Sequence, residues 1–443
     1  MKIFTLTVWL IVNSTLAYSQ GNWTSYKKCR KHPIPVGVKI IYEDQRQNLW
    51  VYGYGPGLYL FDGAKWTQFT WRNGLKNSII TTIKEDSDGI IWIGTPKGLS
   101  RYKEGRMEMV PTKLKGGFPK GYISCIYEDS KKNLWFGTGL VDQGATAKYP
   151  YSTGKLIRYD GNDCTNFSKF SGSMFNDHPV GAIIEDKDNN LWISSGWIKK
   201  GDYTGYNPVF AGELSILKEN KWDYLINKIP YEDKWIIDRI YKDASGNLWF
   251  SARSDKNAGC VIKYDGNNLE FLTKANGFLN YIKHFYQDSK GIVWFGGYRG
   301  LVIMENGEAR YARNDSNRVL SMNVNVIKED SRGNIWVGTT NGVYVFTDKK
   351  KVKHLEPQNG LAGKSNIVKN IVEDFEGKIW VFTQNKFITK STYFVSRINS
   401  KTWDLEEFPL NKIHADLSLL GIYEDSSNNL WFFTRREILK YSQ

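Results

Sequence analysis

Histidine is scarce in this 443-residue sequence, and the motifs of common catalytic sites are missing from it. The five His residues lie scattered, without the spacing of a metal or catalytic site: His32, His178, His284, His354 and His414. No HExxH, G-x-S-x-G or glycine-rich phosphate loop occurs. The sequence therefore predicts no metal, no cofactor and no nucleophile-based catalytic centre, and we expect the protein not to be an enzyme.

Cysteine is equally rare. The four residues, Cys29, Cys125, Cys164 and Cys260, form neither a zinc-binding spacing nor a dense disulfide framework. Cys125 and Cys260 fall at positions that are apolar in other copies of the repeat described below, so we expect buried free thiols. A disulfide involving Cys29 and Cys164 is the alternative that remains open.

Long apolar runs are absent after the first twenty residues, since no later segment reaches the ~20 residues of a membrane-spanning helix. The start is typical of a secretory signal, with Lys2, an apolar run from Ile3 to Val12, and small residues at Ala17 and Ser19 before a cut near Gln20. An uncleaved signal would act as an anchor. We expect a signal peptide over residues 1–20 and a mature chain, without a membrane span, that is periplasmic or secreted.

Aromatic residues, glycine and positive charge are abundant. The 17 Trp, 26 Tyr, 22 Phe and 41 Gly are spread evenly, which is typical of many short strands and tight turns. The formal net charge of +14 favours acidic glycans or anionic cell surfaces as partners, although a solvated basic surface explains it equally well. In an exported protein this charge is weak evidence for nucleic acid, and none is predicted as a partner.

A repeat of 42–57 residues runs through the chain. Nine Trp residues each lie six residues after an Asp, which is too regular for chance and decides the fold class. The pairs are Asp44 and Trp50, Asp86 and Trp92, Asp129 and Trp135, Asp186 and Trp192, Asp243 and Trp249, Asp288 and Trp294, Asp330 and Trp336, Asp374 and Trp380, and Asp425 and Trp431.

The second copy shows the content of one repeat. Its sequence predicts strands over residues 79–85, 91–94, 99–102 and 107–110, with turns at Asp86–Gly89 and Thr95–Gly98. Four short strands at this period are typical of a propeller blade, and one large aromatic per blade fills the wedge between neighbouring sheets. We therefore predict an all-β protein: a single β-propeller of four-stranded blades over residues 21–443.

The two ends of the chain predict ring closure. The ninth copy, from Leu417 to Tyr441, supplies only three strands, and Trp23–Tyr26 matches the fourth strand of the first copy, Trp66–Phe69. The N-terminal strand is therefore expected to complete the last blade and leave no open edge. Nine blades is an unusual count, so seven or eight blades with a divergent copy outside the ring is the alternative.

Two copies carry a specific resemblance. Ile83–Thr95 and Ile327–Thr339, continued by Gly98–Tyr102 and Gly342–Phe346, resemble the two-component regulator propeller repeat. The resemblance implies a propeller of the kind that forms periplasmic sensor regions of hybrid histidine kinases, typically in glycan-using Bacteroidetes, where such regions bind carbohydrate or related ligands. No kinase or response regulator region occurs in these residues, so the signalling role follows only by analogy.

Two acidic patterns are assigned to turns. Glu-Asp pairs such as Glu43-Asp44 recur in most copies, and adjacent strand residues point to opposite faces, so the two carboxylates are not expected to converge. Asp186, Asp188 and Asn190 have the spacing of a calcium loop but lack its glycine and distal glutamate, which favours a turn.

Departures from the repeat indicate a binding face. The loops between strands two and three expand at Thr138–Lys155 and Ser194–Gly212, and less at Ser251–Gly259; insertions on one face commonly mark it as the binding face. The two long loops carry Tyr149, Tyr151, Trp197, Lys199, Lys200, Tyr203, Tyr206 and Phe210, and shorter loops on the same face add Tyr54, Arg253, Tyr298, Arg299, Arg435 and Arg436. Aromatic rings stack on sugars or other planar ligands, and Arg pairs with carboxylates and sulfates. Packing of the loops into a cap is the alternative.

The predicted function is ligand recognition by an exported propeller, with a glycan, another anionic or polyhydroxylated ligand, or a surface protein as the partner. A propeller lyase or hydrolase resembling streptogramin lyases is the first alternative, with His178 or His284 as the acid or base. A structural platform for protein interaction is the second.

Overall fold

The computed structural model describes residues 22–27, 34–35, 38–53, 55–110, 117–139, 154–167, 179–199, 209–219, 221–224, 235–254, 259–273, 282–298, 300–313, 320, 322–347, 352–356, 361, 367–385, 392–407, 419–434 and 437–443. These residues form nine antiparallel sheets of four strands each, arranged in a ring. The nine-blade prediction is confirmed. One short 3-10 helix, Trp71–Asn73, follows the first blade.

Each of the first four blades holds consecutive strands, paired in chain order. They are β2 (Ile40–Glu43), β3 (Leu49–Tyr52), β4 (Leu58–Phe61) and β5 (Trp66–Phe69); β6 (Thr82–Glu85), β7 (Ile91–Thr95), β8 (Gly98–Lys103) and β9 (Arg106–Met109); β10 (Ile123–Glu128), β11 (Leu134–Thr138), β12 (Leu156–Tyr159) and β13 (Cys164–Asn166); and β14 (Val180–Glu185), β15 (Leu191–Lys199), β16 (Val209–Lys218) and β17 (Lys221–Tyr224).

Blades five to eight repeat this order. They are β18 (Trp235–Lys242), β19 (Leu248–Ser254), β20 (Gly259–Tyr264) and β21 (Leu269–Leu272); β22 (Ile282–Gln287), β23 (Val293–Gly297), β24 (Gly300–Glu305) and β25 (Glu308–Tyr311); β26 (Val324–Glu329), β27 (Ile335–Thr339), β28 (Gly342–Phe346) and β29 (Val352–Leu355); and β30 (Ile367–Glu373), β31 (Lys378–Asn385), β32 (Thr392–Asn399) and β33 (Leu405–Glu407).

The ninth blade joins the two ends of the chain. Its strands are β34 (Leu419–Glu424), β35 (Leu430–Thr434), β36 (Glu437–Ser442) and β1 (Asn22–Lys27), in that spatial order. Trp23 pairs with Tyr441 and Ser25 with Leu439, so the predicted pairing of the N-terminal strand is confirmed. Contacts between the first strands of neighbouring blades place these strands innermost, around the central axis.

The Asp-to-Trp spacing is explained by a hydrogen bond inside each blade. In all nine blades the indole Nε1–H of the Trp donates to Oδ2 of the Asp, at 2.6–2.9 Å. The other oxygen of the same Asp accepts backbone N–H groups of its turn, as Asp330 does from Arg332 and Asn334 at 3.0 and 2.8 Å. Each Trp is at most 5% exposed. The Asp thus holds the turn and satisfies the buried indole at once.

The core consists of nine apolar clusters, one at each interface between neighbouring blades. Trp50 packs with Ile91 and Ile93 of the second blade, and Trp431 of the ninth blade packs with Phe61 of the first. A Cβ at Gly338 would lie 2.5 Å from Val368 of the next blade. The glycine at this position of the Trp strand therefore allows the innermost strand of the next blade to approach the Trp strand closely.

Candidate functional site on the upper face

The ring has two faces with different loops. Because the strands of a blade are antiparallel, the Asp turns between strands one and two lie on one face, here called the lower face. The loops between strands two and three, and the connections between blades, lie on the opposite, upper face. The insertions in the sequence are therefore on the upper face.

On the lower face, the Glu-Asp pairs connect neighbouring blades. Glu329 accepts the backbone N–H and the hydroxyl of Ser289 in the preceding blade, at 2.8 and 2.5 Å, while the adjacent Asp330 serves its own turn. The same contact joins Glu128 to Ser87, Glu185 to Ser130, Glu373 to Ser331 and Glu43 to Ser426. The two carboxylates of each such pair have different partners, so they do not form one site.

The calcium-like spacing in the fourth blade is a turn. Asp186 Oδ1 accepts the backbone N–H groups of Asp188 and Asn190, each at 2.9 Å, and its Oδ2 accepts from Trp192. Both carboxylate oxygens are thus occupied by hydrogen bonds that recur in the other blades. Among the residues described, no group of three or more His, Cys, Asp or Glu side chains is arranged to hold a metal ion.

The described part of the fourth-blade insertion, residues 194–199 and 209–212, extends the sheet, where the sequence predicted a loop over Ser194–Gly212. β15 continues to Lys199 and β16 begins at Val209, with Trp197 opposite Ala211 and Lys199 opposite Val209. Because strand pairing continues into the insertion, the backbone N–H and C=O groups of these residues have hydrogen-bond partners. Tyr203, Tyr206 and Lys200 lie outside the described residues, as do Tyr149 and Tyr151 of the third blade.

The insertion of the fifth blade is also partly strand. Arg253 lies in β19, opposite Ile236 and Gly259, so the pairing continues into the segment that the sequence assigned to a loop. The other predicted residues Tyr54, Arg299, Arg435 and Arg436 lie outside the described residues.

Tyr298 is the predicted site residue whose side chain is described. It lies between β23 and β24 on the upper face and is 43% exposed. Lys283 of the innermost strand donates its ammonium to the Tyr298 hydroxyl at 2.8 Å, and its Nζ lies 4.1 Å from the ring centroid. A cation and an exposed aromatic ring therefore meet at the upper end of the sixth blade.

Lys283 belongs to a basic cluster with Arg239 and His284. Lys283 is the extra residue of a bulge between Ile282 and His284, and Arg239 follows the same bulge in β18. This bulge recurs in the innermost strands of seven blades, so it belongs to the repeat and not to this site. Arg239 and Lys283 are exposed and His284 is half-buried. We call Arg239, Lys283, His284 and Tyr298 the upper basic cluster.

The charges of this cluster act on one another. Burial lowers the pKa of His284 below its ordinary value of 6.5, and the positive charges of Arg239 and Lys283 lower it further. These effects favour the neutral imidazole of His284 at neutral pH. No carboxylate among the described residues forms an ion pair with Arg239 or Lys283.

Sequence reasoning missed Arg239 and Lys283, and treated His284 only as a lone acid or base. The signal was present, because the position of Arg239 and His284, four residues before the Asp, holds uncharged residues in the other blades. These are Ile40, Thr82, Cys125, Ala182, Val326, Asn370 and Gly421.

The three described cysteines, Cys125, Cys164 and Cys260, are free thiols. Cys260 is buried, as expected, whereas Cys125 is only partly so. A disulfide with Cys164 is not formed, and Cys29 lies outside the described residues.

Five segments of the chain match the family model described as the two component regulator propeller: residues 74–97, 117–139, 174–197, 276–299 and 319–341. Each segment contains an innermost strand, its Asp turn and the Trp strand. These are two-component regulator propeller repeats. The other four blades lie outside the matched segments and carry the same Asp-to-Trp hydrogen bond.

Solved structures with a similar fold include the extracellular domain of a hybrid two-component system from B. thetaiotaomicron, at 18% identity and a TM-score of 0.35, covering 92% of this chain and 59% of that one. PorZ, a surface component of the type-IX secretion system of Porphyromonas gingivalis, is 16% identical with a TM-score of 0.39, covering 91% and 57%. An inactive virginiamycin B lyase from Staphylococcus aureus, solved with quinupristin, is 12% identical with a TM-score of 0.36, covering 96% and 100%.

The chain thus spans less than two thirds of the length of the first two of these proteins. Among curated proteins, none matches this chain. Across the described residues, no helix is long and apolar enough to cross a membrane.

Proposed function

We propose that this regulator propeller is an exported recognition protein whose upper face binds an anionic or polyhydroxylated ligand, in particular an acidic glycan. The observation that carries the proposal is the upper basic cluster. Lys283 contacts the exposed ring of Tyr298 there, and Arg239 is exposed on the innermost strand of the preceding blade, where its charge acts on His284. The positions of Arg239 and His284 hold uncharged residues in the other blades, so the packing of the repeat does not require these side chains.

The chemistry of the cluster suits such a ligand. The guanidinium of Arg239 matches a carboxylate or sulfate in planar geometry, and the ammonium of Lys283 adds a second positive charge. The ring of Tyr298 offers a flat apolar surface with a polar hydroxyl at its edge, which is how aromatic residues contact sugar rings. Among the carboxylates whose side chains the structure describes, none pairs with either cation.

The insertions support the same face. Trp197 and Lys199 lie on the extended hairpin of the fourth blade, and Arg253 on the hairpin of the fifth, next to the cluster around the ring. Tyr149, Tyr151, Tyr203 and Tyr206 belong to the same insertions in the sequence, and Arg299 and Arg435 to short loops of this face. We propose that these residues extend the binding surface from the third blade to the sixth.

The role of the protein follows from the repeats by analogy. We propose that the chain senses or captures its ligand outside the cytoplasm, in the periplasm or after secretion, as extracellular domains of two-component systems do. A surface protein that carries the same acidic sugars is an equivalent partner.

A glycan array probed with residues 21–443 tests the proposal. We expect sulfated or uronate-containing glycans to bind and their neutral counterparts to bind at least tenfold more weakly. The variant Arg239→Gln/Lys283→Gln should lose at least tenfold in affinity for the acidic glycans. The matched control Lys65→Gln/Lys131→Gln removes the same charge from exposed lower-face turns and should bind like the wild type. Equal losses in both variants would show attraction by net charge alone and would contradict the proposal.

We infer that the cluster is not catalytic. A lyase reading would use His284 as acid or base, yet its charged neighbours are cations, and none of the described carboxylates is hydrogen-bonded to it to orient the ring. His178, the other candidate, lies outside the described residues. Turnover of acidic polysaccharides or streptogramin-type lactones that is lost in His284→Ala would contradict this inference.

A further inference from the structure

A cleft lies on the upper face, between the second and third blades and outside the upper basic cluster. Its volume is about 270 Å³, and it is lined by Lys76, Lys97, Gly98, Leu99, Val110, Phe118, Pro119 and Lys120. Lys97 lies in the turn between β7 and β8, and Gly98 and Leu99 are the first residues of β8. The other lining residues belong to the connections between blades. This volume is near the lower end for ligand pockets, so it suits a molecule of about one ring.

The floor of the cleft is apolar and firmly held. Leu99, Val110 and Phe118 belong to the core cluster that joins the second and third blades. The Phe118 ring lies 4.9 Å from that of Tyr159 and 6.1 Å from that of Trp92. The Val110 backbone N–H donates to the Leu99 carbonyl at 3.2 Å. The floor is therefore formed by the packing of the fold, and these side chains, 3–4% exposed, offer a ligand only the apolar edge that the core leaves accessible.

A glycine keeps the cleft open. Gly98 has φ +117°, a left-handed conformation that favours glycine, and a Cβ there would lie 3.2 Å from the Pro119 carbonyl oxygen. The same Cβ would lie 4.0 Å from Lys76 Cγ. A side chain at this position would narrow the space between the two connections.

The rim of the cleft carries charge of one sign. Lys97 and Lys120 are exposed and Lys76 is half-buried. No side chain of these three lysines is in an ion pair with a described carboxylate, and the lining contains no acidic residue. The Lys76 backbone N–H donates to the Ser100 hydroxyl at 2.7 Å, which fixes the position of this residue beside the cleft.

We propose that this cleft binds a small organic acid with an apolar ring or chain, whose apolar part lies on Leu99, Val110 and Phe118 and whose carboxylate meets the three lysines. An inorganic anion would leave the apolar floor unused, and a neutral apolar molecule would leave three ammonium groups without a counter-charge. The combination of floor and rim therefore selects an amphipathic anion. This site is independent of the glycan surface proposed above.

Ligand-observed NMR titration of the mature chain tests the proposal with three probes: 3-phenylpropionate, its neutral analogue 3-phenylpropanol, and inorganic sulfate. We expect saturable binding of the acid, with a dissociation constant at least tenfold lower than for either other probe. Lys97→Ala/Lys120→Ala should weaken binding of the acid at least fivefold. The matched variant Lys65→Ala/Lys131→Ala, on the lower face, should leave it unchanged, and circular dichroism checks that both variants are folded.

Three results would overturn the proposal: no saturable binding of the acid up to 10 mM (about the weakest range a three-lysine site should reach), sulfate binding as tightly as the acid, or equal losses in the two double variants. Substitution of Arg239 and Lys283 should leave binding of the acid intact. A failure of the glycan proposal and a failure of this one are therefore distinguishable.

Discussion

Glu43 in the first blade accepts two hydrogen bonds from Ser426 in the ninth, one from the backbone N–H at 2.8 Å and one from the hydroxyl at 2.5 Å. The two residues are 383 positions apart in the sequence. The same pair of bonds joins Ser289 to Glu329 between consecutive blades. The interface that closes the ring thus uses the same contact as internal interfaces, in addition to the strand pairing of β1 with β36.

The ring-closing contact predicts a measurable stability loss. Glu43→Ala removes a charged acceptor of three hydrogen bonds at a partly exposed site, two from Ser426 and one from the Tyr423 hydroxyl at 3.2 Å, so we expect at least about 1 kcal/mol lower free energy of unfolding. Glu329→Ala, which removes the equivalent internal contact, is the matched control and should cost a similar amount in urea denaturation. No loss for Glu43→Ala beside a clear loss for Glu329→Ala would show that the ring is not closed at this interface.

The Asp that accepts the indole hydrogen bond should contribute more to the free energy of unfolding than an Asp that caps an ordinary exposed turn. Asp330→Ala leaves the buried indole N–H of Trp336 without its acceptor and breaks the turn bonds to Arg332 and Asn334, so we expect a loss of about 3 kcal/mol. Asp62, which caps an exposed turn through the N–H groups of Ala64 and Lys65, is the control. Asp62→Ala should cost about 1 kcal/mol or less. Equal losses in urea denaturation would contradict this role of the indole bond.

His284 makes stability depend on pH. Its pKa in the folded protein lies below 6.5, so the unfolded chain binds a proton first as the pH falls. The contribution of neutral His284 to the free energy of unfolding is therefore fully present above pH 6.5 and is lost as the pH falls below that value. We expect the free energy of unfolding to decline less steeply with falling pH in His284→Gln than in the wild type. Parallel curves for the two proteins would rule out this effect.

The buried thiols should be unreactive in the folded protein. Burial raises the pKa of Cys260 to about 12, and burial with the nearby charges of Asp160 and Asp163 raises that of Cys164 to about 11. Since the thiolate is the reactive form, iodoacetamide at pH 8 should not modify either residue until urea unfolds the chain. Peptide mass spectrometry measures this directly, and rapid alkylation of Cys260 in the native state would contradict the structure.

Most of the fold follows from the sequence because the repeat is regular. The Asp-to-Trp offset predicted nine blades, and the match between Trp23–Tyr26 and Trp66–Phe69 predicted the closing strand. The sequence did not indicate why the offset is six, since the bond from indole to carboxylate depends on how a turn folds back onto the next strand. It also assigned Ser194–Gly212 to a loop, because this segment expands a loop that is short in other copies, whereas backbone pairing continues into it.

The candidate site was less predictable. Tyr298 was identified from its place in a short loop, but its contact with Lys283 joins that loop to the innermost strand, 15 residues earlier, which no residue pattern indicated. The predicted binding residues were all taken from loops. Arg239 and Lys283 lie in strands and were therefore not among them. The cleft above Leu99 and Phe118 is formed by two connections between blades, and their approach is a property of the ring and not of one repeat.

Hydrogen-exchange mass spectrometry of the mature chain, with and without a heparin-derived oligosaccharide, tests the central claim that the upper face recognises anionic ligands. We expect slower exchange on binding at the upper ends of the fifth and sixth blades, in peptides that contain Arg239 and residues 282–284 and 296–298. The lower-face turns, such as Asp330–Asn334, should exchange at unchanged rates. Protection confined to those turns, or spread evenly over both faces, would contradict the account.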